Sequence, residues 1–471
     1  MTHALAAAAR NIKSAVENNL NYLAFIIFIP LFFLIQIKPP KKAFLISLVY
    51  GFLFYLCTLY WLYHVTVVGL IIVCLYLALY FGIFGIIINR FGILIAPLAW
   101  ITLEYIQANI SILGFGWASL GYSQYKNLLL IQIADFSGVY GVSFVIMMVN
   151  VAIWRVIARL QNSRSNLWFL AMTMLILIAS HTYGFFRLNE KNIAKNSIKV
   201  SVIQGNILQE LKWDPDAQSM IIEKYIALTK MSALDNPDLI IWPETSFPGF
   251  FEIDREMTDR VLNLAGEINI PILIGTNTEK SLTPRRWGLN PTYAVEETGY
   301  FNSAVLVSAK GKIVDMYDKI HLVPFGEYVP FSKKIPVLHD LVLGELGEFT
   351  PGKESKIFNF RTPNSELRTK FGVLICFEDI FPELAKNLVK NGAQFLVVIT
   401  NDAWYGKSPA AYQHAACSVF RAIENRVPIV RSANTGYSCF IDSLGRIYDS
   451  VAEKGAHLFV TGYKTSVIDL Y

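Results

Sequence analysis

The chain has 471 residues, 54% of them hydrophobic and 16% charged, with a net charge of +5 and a mean hydropathy of +0.41. That length exceeds one ordinary domain, and the charged share lies below the roughly one quarter of an average soluble protein, which excludes a purely soluble chain. The mild positive charge forms no basic stripe, which excludes a nucleic-acid binder, and it fits the lysines and arginines of membrane-protein loops.

A helix needs about 20 apolar residues to cross a bilayer. In chain order, six apolar segments approach or exceed this: 20–37, 43–61, 66–88, 91–110, 128–154 and 167–186. The first is short, the fourth contains Glu104 and the fifth contains Asp135. These acids either make structural hydrogen bonds inside a helix bundle or line a polar cavity. No signal-peptide pattern follows the alanine-rich start. Lys38, Lys41 and Lys42 follow the first segment, Arg90 the third, and Arg155, Arg159 and Arg164 the fifth. The positive-inside rule makes those turns cytoplasmic, so the chain leaves the sixth segment on the outer face. The same count puts the N-terminus outside although Arg10 and Lys13 lie there. Either a span is missing from this count, or residues 1–19 lie along the interface.

Beyond residue 190 the pattern changes to short β-branched runs between helical stretches. Strands are expected at 200–206, 239–244, 271–277, 303–308, 371–376, 395–402 and 428–434, and helices near 216–233, 255–268 and 411–425. Continuous apolar strands between helices indicate an α/β domain whose sheet is covered on both faces. The expected division is a transmembrane helical bundle over 1–190 with about six spans, and an extracytoplasmic catalytic domain over 191–471.

Three of these strands end alike. LIIW runs into Pro243-Glu244, VLI into Cys376-Phe377-Glu378, and LVVIT into Asn401-Asp402. Ligands gather at the carboxyl ends of strands in α/β sheets, so three such ends are candidates for one pocket. A cysteine becomes a nucleophile when a base or a cation favours its thiolate. None of the seven histidines follows a cysteine-protease pattern. Glu244, beside Trp242 and Pro243, is the candidate base, since partial desolvation raises a carboxylate's pKa. Lys319, in the apolar stretch MYDKIHLVPFGEYVP, is the candidate cation for thiolate and oxyanion. Each has a plainer reading when taken singly: a core cysteine, a solvated glutamate, a surface lysine. Of the five cysteines, Cys57 and Cys74 lie in apolar segments, and Cys417 and Cys439 read as core residues. Neither a disulfide framework nor zinc-ligand spacing is present.

Together the motifs resemble the nitrilase superfamily, whose catalytic Glu-Lys-Cys set occurs in the chain order found here at Glu244, Lys319 and Cys376. The resemblance runs from about 197 to 463 through VIQGNILQELKWDP, IIWPETSFP, KIHLVPFGEYVP, ICFEDI and TNDAWYG. Fusion to a membrane bundle, with GFGWASLGYSQ and GVYGVSF in the first half, narrows it to the apolipoprotein N-acyltransferase family. Phe377 stands where some relatives carry tyrosine, and Gly116 where relatives often carry proline. Many relatives carry an extra span at each end. Here a first span is not obvious and the chain stops at Tyr471.

The resemblance implies a multi-domain protein, a helical transmembrane bundle joined to an αββα sandwich. It implies that Cys376 takes an acyl chain from a phospholipid as a thioester and passes it to the α-amino group of a lipoprotein's diacylglyceryl-cysteine. Glu327, Glu378 and the Phe377 amide would support the triad, and Trp213, Asn401, Trp404 and Tyr405 would bind or gate substrate. The expected setting is a bacterial inner membrane, with the catalytic domain on the periplasmic face. No cofactor, metal or nucleic acid is expected, and nothing demands more than a monomer. Residues 331–349 are apolar enough for an arm that dips into the interface. The alternative is a membrane-tethered amidase that uses water as second nucleophile.

Overall fold

The computed structural model describes residues 20–110, 114–158, 164–190, 194–282, 298–329, 349–362 and 368–471. The chain divides into two units, Met1–Glu190 and Lys191–Tyr471.

Among the described residues of the first unit, four helices have the length and apolar composition to cross a bilayer: Pro40–Thr58, Val67–Phe91, Ala134–Ile157 and Leu167–Asn189. The 25 residues of Val67–Phe91 reach about 37 Å at about 1.5 Å per residue, enough for a hydrocarbon layer of about 30 Å. Two of the six apolar segments take a different form. Residues 20–37 form a 3-10 stretch, Leu20–Phe25, and then a seven-residue helix, Ile29–Ile35, with Pro30 in its first turn. Proline begins a helix more readily than it continues one. Residues 91–110 yield the 14-residue helix Ala96–Asn109, because Gly92 sits at φ 87 and Pro97 falls in the first turn.

Backbone groups freed by a break need protein partners where water is excluded. Asn150 supplies them for the first segment. Its Oδ1 accepts from the Phe28 amide at 2.9 Å and its Nδ2 donates to the Ala24 carbonyl at 2.8 Å. Glu104 Oε1 accepts from Trp100 Nε1 at 2.9 Å and from the Leu120 amide at 2.6 Å. Asp135 Oδ2 accepts from the Tyr183 hydroxyl at 2.5 Å and lies 3.5 Å from Arg187 Nε. Both acids of the apolar segments are thus hydrogen-bonded within the bundle.

The second unit contains twelve strands among the described residues: β1 (Asn196–Gln204), β2 (Leu239–Ile241), β3 (Ile272–Ser281), β4 (Thr298–Val307), β5 (Ile313–Asp318), β6 (Ile357–Arg361), β7 (Arg368–Ile375), β8 (Phe395–Thr400), β9 (Ile429–Ala433), β10 (Cys439–Ile441), β11 (Ile447–Ser450) and β12 (Gly462–Leu470). They form two six-stranded sheets, ordered β12-β1-β2-β3-β4-β5 and β11-β10-β9-β8-β7-β6. The central pairs β1-β2-β3 and β7-β8-β9 are parallel.

Side chains alternate along a strand, so each strand has two faces to bury. Val200, Val202, Ile241 and Leu273 of one sheet pack with Val373, Ile375, Val397 and Ile399 of the other in a single core. The opposite face of the first sheet, with Ile203, Ile240, Trp242 and Ile274, packs on Ile222 and Tyr225 of helix Gln218–Ala233 and on Val261 and Leu264 of helix Arg255–Ile268. Helices Pro382–Lys390 and Ala410–Asn425 cover β7 and β9 of the second sheet. The result is an αββα sandwich, and double coverage is why the strands read as unbroken apolar runs. None of the five cysteines forms a disulfide, and Cys417 and Cys439 are fully buried.

Candidate active site

The strand β7 stops because Cys376 turns left-handed, at φ 53, into the 3-10 turn Cys376–Ile380. A non-glycine residue rarely takes this conformation, which costs on the order of 1–3 kcal/mol and persists only where its surroundings over-determine it. Here Glu378 is one clamp. Fully buried, it accepts at Oε2 from the Ile375 amide at 2.8 Å. At Oε1 it accepts from the Tyr317 hydroxyl at 2.7 Å, the Ile320 amide at 2.7 Å and the His321 amide at 3.1 Å. Burial pushes its carboxyl up, and the Ile375 amide and Tyr317 hydroxyl work against that push. One carboxylate therefore ties the cysteine turn to the segment that carries Lys319.

Lys319 directly follows β5, and its amide donates to the Asn302 carbonyl at 2.8 Å. Its ammonium is buried, 2.9 Å from both Glu327 oxygens and 3.5 Å from Glu244 Oε1. Burial alone would lower its pKa, but Glu327 and then Glu244 outweigh burial and hold it above the ordinary lysine value. Glu327 is placed by its own loop, where Oε2 accepts from the Val323 amide at 2.8 Å and Phe325 turns at φ 62.

Glu244 leaves β2 after Trp242-Pro243, with Thr245 at φ 45. The turn presses on β3 at Gly275, where an added Cβ would lie 2.3 Å from the Pro243 carbonyl oxygen and 2.6 Å from Glu244 Cα. Only glycine allows this approach. The Glu244 carboxylate is buried, accepting at Oε1 from Asn302 Nδ2 at 2.8 Å and at Oε2 from the Asn401 amide at 2.7 Å. Asn302 Nδ2 also donates to Glu327 Oε1 at 2.8 Å, so one amide spaces the two acids. At Cys376, burial and then Glu244 push the thiol well above its ordinary pKa, while Lys319 and the Thr400 hydroxyl pull it down. The resting sulfur is a thiol beside a carboxylate and a fixed ammonium. That set can deprotonate a nucleophile as it attacks and stabilise the oxyanion it creates.

The remaining candidates fall around this set in different ways. Asn401 spends its side chain on Gln209 Oε1 at 2.8 Å and Asn434 Nδ2 at 3.0 Å, so it braces Glu244 through its amide. Tyr405 is half-buried, and its hydroxyl is raised first by burial and then by Cys376, Asp402 and Glu244, which places it in the same field. Trp213 is half-buried and Trp404 is 46% exposed. The Phe377 ring packs edge-on to Phe381 at 5.4 Å, and its amide follows Cys376 in the turn. Of the apolar arm expected at 331–349, all but Phe349 lies outside the described residues. Among the described residues no three His, Cys, Asp or Glu side chains gather as a metal site.

Several partners were not singled out by sequence reasoning. Lys212 Nζ is buried and donates to the Glu244 carbonyl at 3.1 Å, the Thr245 carbonyl at 3.2 Å and Thr245 Oγ1 at 2.9 Å. Three acceptors match the three protons of an ammonium, although burial draws its pKa down to about 7. A lysine directly before the quoted Trp213 was the available signal. Asn302 was visible only as a polar residue just before the apolar run of β4. A second buried group, His414 with Asp379, Asp402 and Arg431, lies under the cysteine turn.

Residues 12–152 match the family described as Apolipoprotein N-acyltransferase N-terminal domain, and 199–461 match Carbon-nitrogen hydrolase. The chain is 39% identical over 448 residues to a protein named apolipoprotein N-acyltransferase from Geobacter metallireducens, covering 90% of this chain and 82% of that one. To its namesake from Chlorobaculum tepidum it is 32% identical over 370 residues, covering 76% and 68%. Among solved structures, an amidase from Nesterenkonia sp. aligns at 16% identity with a TM-score of 0.39, covering 60% of this chain and 94% of that one.

Proposed function

The chain belongs to the apolipoprotein N-acyltransferase family, and we propose that Glu244, Lys319 and Cys376 carry out its acyl transfer in two half-reactions. The observation that carries this reading is the contact set around Lys319. One buried ammonium lies between two carboxylates, Glu244 at 3.5 Å and Glu327 at 2.9 Å, and lowers the pKa of the cysteine.

In the first half-reaction Glu244 takes the thiol proton as Cys376 sulfur attacks the ester carbonyl of a phospholipid. The C–S bond forms and the carbonyl oxygen becomes an oxyanion, which Lys319 and the Phe377 amide stabilise. Collapse breaks the ester C–O bond, and Glu244 returns the proton to the departing lysophospholipid. A thioester remains. In the second, the α-amino group of a diacylglyceryl-cysteine attacks that thioester, Glu244 accepts its proton, and Cys376 leaves and is reprotonated. The covalent stage divides one hard transfer into two easier ones. Glu327 holds Lys319 charged and in place, Glu378 fixes the cysteine turn, and Trp213, Trp404 and Tyr405 border the acyl path.

The protein is a membrane protein with lipid and lipoprotein substrates, and the proposal extends to its orientation. With the segment 91–110 counted as a crossing, Lys38, Lys41, Lys42, Arg90 and Arg155 support cytoplasmic turns and a catalytic domain on the periplasmic face of the inner membrane. The proposed working unit is a monomer. A site at that face meets both substrates without extracting either from the bilayer.

The test is the fate of acyl-enzyme made with labelled phospholipid. Discharge by a diacylglyceryl-cysteine peptide, with the label recovered on the peptide amine, is expected. Discharge by water at the same rate with or without peptide would make the enzyme a hydrolase.

A further inference from the structure

The second half of the clamp on Cys376 comes from below. His414 lies on helix Ala410–Asn425 and is fully buried. Its Nδ1 is 2.8 Å from Asp402 Oδ1, and its Nε2 is 2.9 Å from Asp379 Oδ1 and 3.2 Å from the Cys376 carbonyl oxygen. Every one of these partners is an acceptor. A neutral imidazole has one ring nitrogen without a proton, and here that nitrogen would face an aspartate. The geometry therefore requires the imidazolium, with protons on both nitrogens. Arg431, from β9, lies across the same aspartates, 3.0 Å from Asp379 Oδ2 and 3.4 Å from Asp402 Oδ2. Ser418 Oγ donates to Asp379 Oδ2 at 2.6 Å.

Two aspartates, one arginine and one imidazolium sum to zero charge, all of it shielded from solvent. The cluster reaches the sulfur by two routes. His414 holds the carbonyl of the left-handed Cys376. The Thr400 hydroxyl donates to Asp402 Oδ1 at 3.1 Å, and Thr400 is one of the groups that lower the thiol's pKa. Asp402 raises the thiol's pKa. Without the charge on His414, the cluster becomes a net anion against the cysteine turn.

We propose that His414 is a positioning residue for Cys376, a buried imidazolium that pins the carbonyl of the nucleophile and cancels the field of Asp379 and Asp402 on its thiolate. The proposal rests on Cys376 being the nucleophile. The charged and titratable groups that face His414 are Asp379 and Cys376 from the cysteine turn, Asp402 after β8, and Arg431 on β9. Burial and Arg431 lower its pKa, but the two aspartates outweigh them and raise it to about 9. An ordinary thiol reacts faster as pH rises through this range, because its thiolate fraction grows. Cys376 should climb less steeply there, since the imidazolium is lost as pH rises through about 9 and its loss raises the thiol's pKa.

The experiment is alkylation of the full-length enzyme in detergent by iodoacetamide from pH 6 to pH 10.5, read by mass on the Cys376 peptide. Wild type is expected to show a rate that climbs to near pH 9, levels off over about one pH unit, the width that a one-unit shift in thiol pKa gives, and then climbs again. His414→Gln should react about tenfold or more slowly at neutral pH, the change that a one-unit shift in thiol pKa makes in the thiolate fraction. It should also show no such shoulder. The double variant His414→Gln with Asp379→Asn restores a neutral cluster, and its rate should return to within about threefold of wild type. A merely structural histidine gives no such rescue. A wild-type rate that climbs smoothly through pH 10, or a folded His414→Gln with the wild-type profile, would overturn the proposal. If the variants do not fold, the wild-type profile decides alone. Failure of Cys376 to acquire an acyl group from phospholipid would instead overturn the functional reading, which alkylation does not probe.

Discussion

The two halves of this molecule both break their regular backbone, and they mend the breaks with different chemistry. In the apolar half the breaks fall at Phe28, Gly92 and Gly138, and at the first the partner is a neutral side chain, Asn150, which takes the Phe28 amide from 122 positions along the chain. In the catalytic half three breaks beside the candidate triad fall at non-glycine residues in the left-handed region, Thr245, Phe325 and Cys376. Each is followed, preceded or clamped by an acid, the buried Glu244 and Glu378 or the half-buried Glu327. A break mended by a neutral side chain keeps a helix in an apolar setting. A break held by a charge marks where the fold carries strain for chemistry.

The largest effect that separates the halves is Cys376→Ala. It should lower acyl transfer by at least about 10⁴-fold, measured with phospholipid donor and a lipopeptide acceptor, while leaving the melting temperature within a few degrees. Glu378→Ala comes next. It strands the Ile375, Ile320 and His321 amides and the Tyr317 hydroxyl, which should cost about 3–5 kcal/mol and show as a large fall in thermal midpoint. A midpoint near wild type would contradict the clamp.

Gly275→Ala drives a Cβ into the Pro243–Glu244 backbone. Displacement of the base by about 1 Å should lower kcat on the order of 10²-fold, with KM for phospholipid much less affected. In the apolar half, Asn150→Leu removes two hydrogen bonds at one break. It should cost about 1–2 kcal/mol, seen as a modest fall in thermal midpoint with specific activity of the folded fraction retained. Smallest is the pH effect on stability at His414, whose pKa rises from the ordinary 6.5 to about 9 on folding. Its contribution is fully present below about pH 6.5 and is lost as pH rises through about 9, so the thermal midpoint should fall across that window and His414→Gln should flatten the fall.

Much of the sandwich was legible because both sheets are covered. FGVLIC, FLVVIT and PIVRSA read as strands since nearly every position is buried. Edge strands gave no such signal. β12, GYKTSVIDL, is half-exposed along most of its length and alternates poorly. The two shortened helices were signalled by Pro30, Gly92 and Pro97, which an average over about 20 residues conceals. Cys376, Glu244 and Asn401 could be paired from sequence because each ends a buried strand. His414 could not be, since Asp379, Asp402 and Arg431 come to it from three other elements. Lys212 likewise acts on backbone carbonyls 32 and 33 residues away.

The measurement that tests the central claim most directly is the intact mass of purified enzyme incubated with phospholipid and no acceptor, compared with Cys376→Ala and Glu244→Gln. The account predicts one added acyl mass on wild type, none on Cys376→Ala, and a slow, incomplete adduct on Glu244→Gln. An acyl adduct that survives Cys376→Ala, or none on folded and reduced wild type, would contradict it.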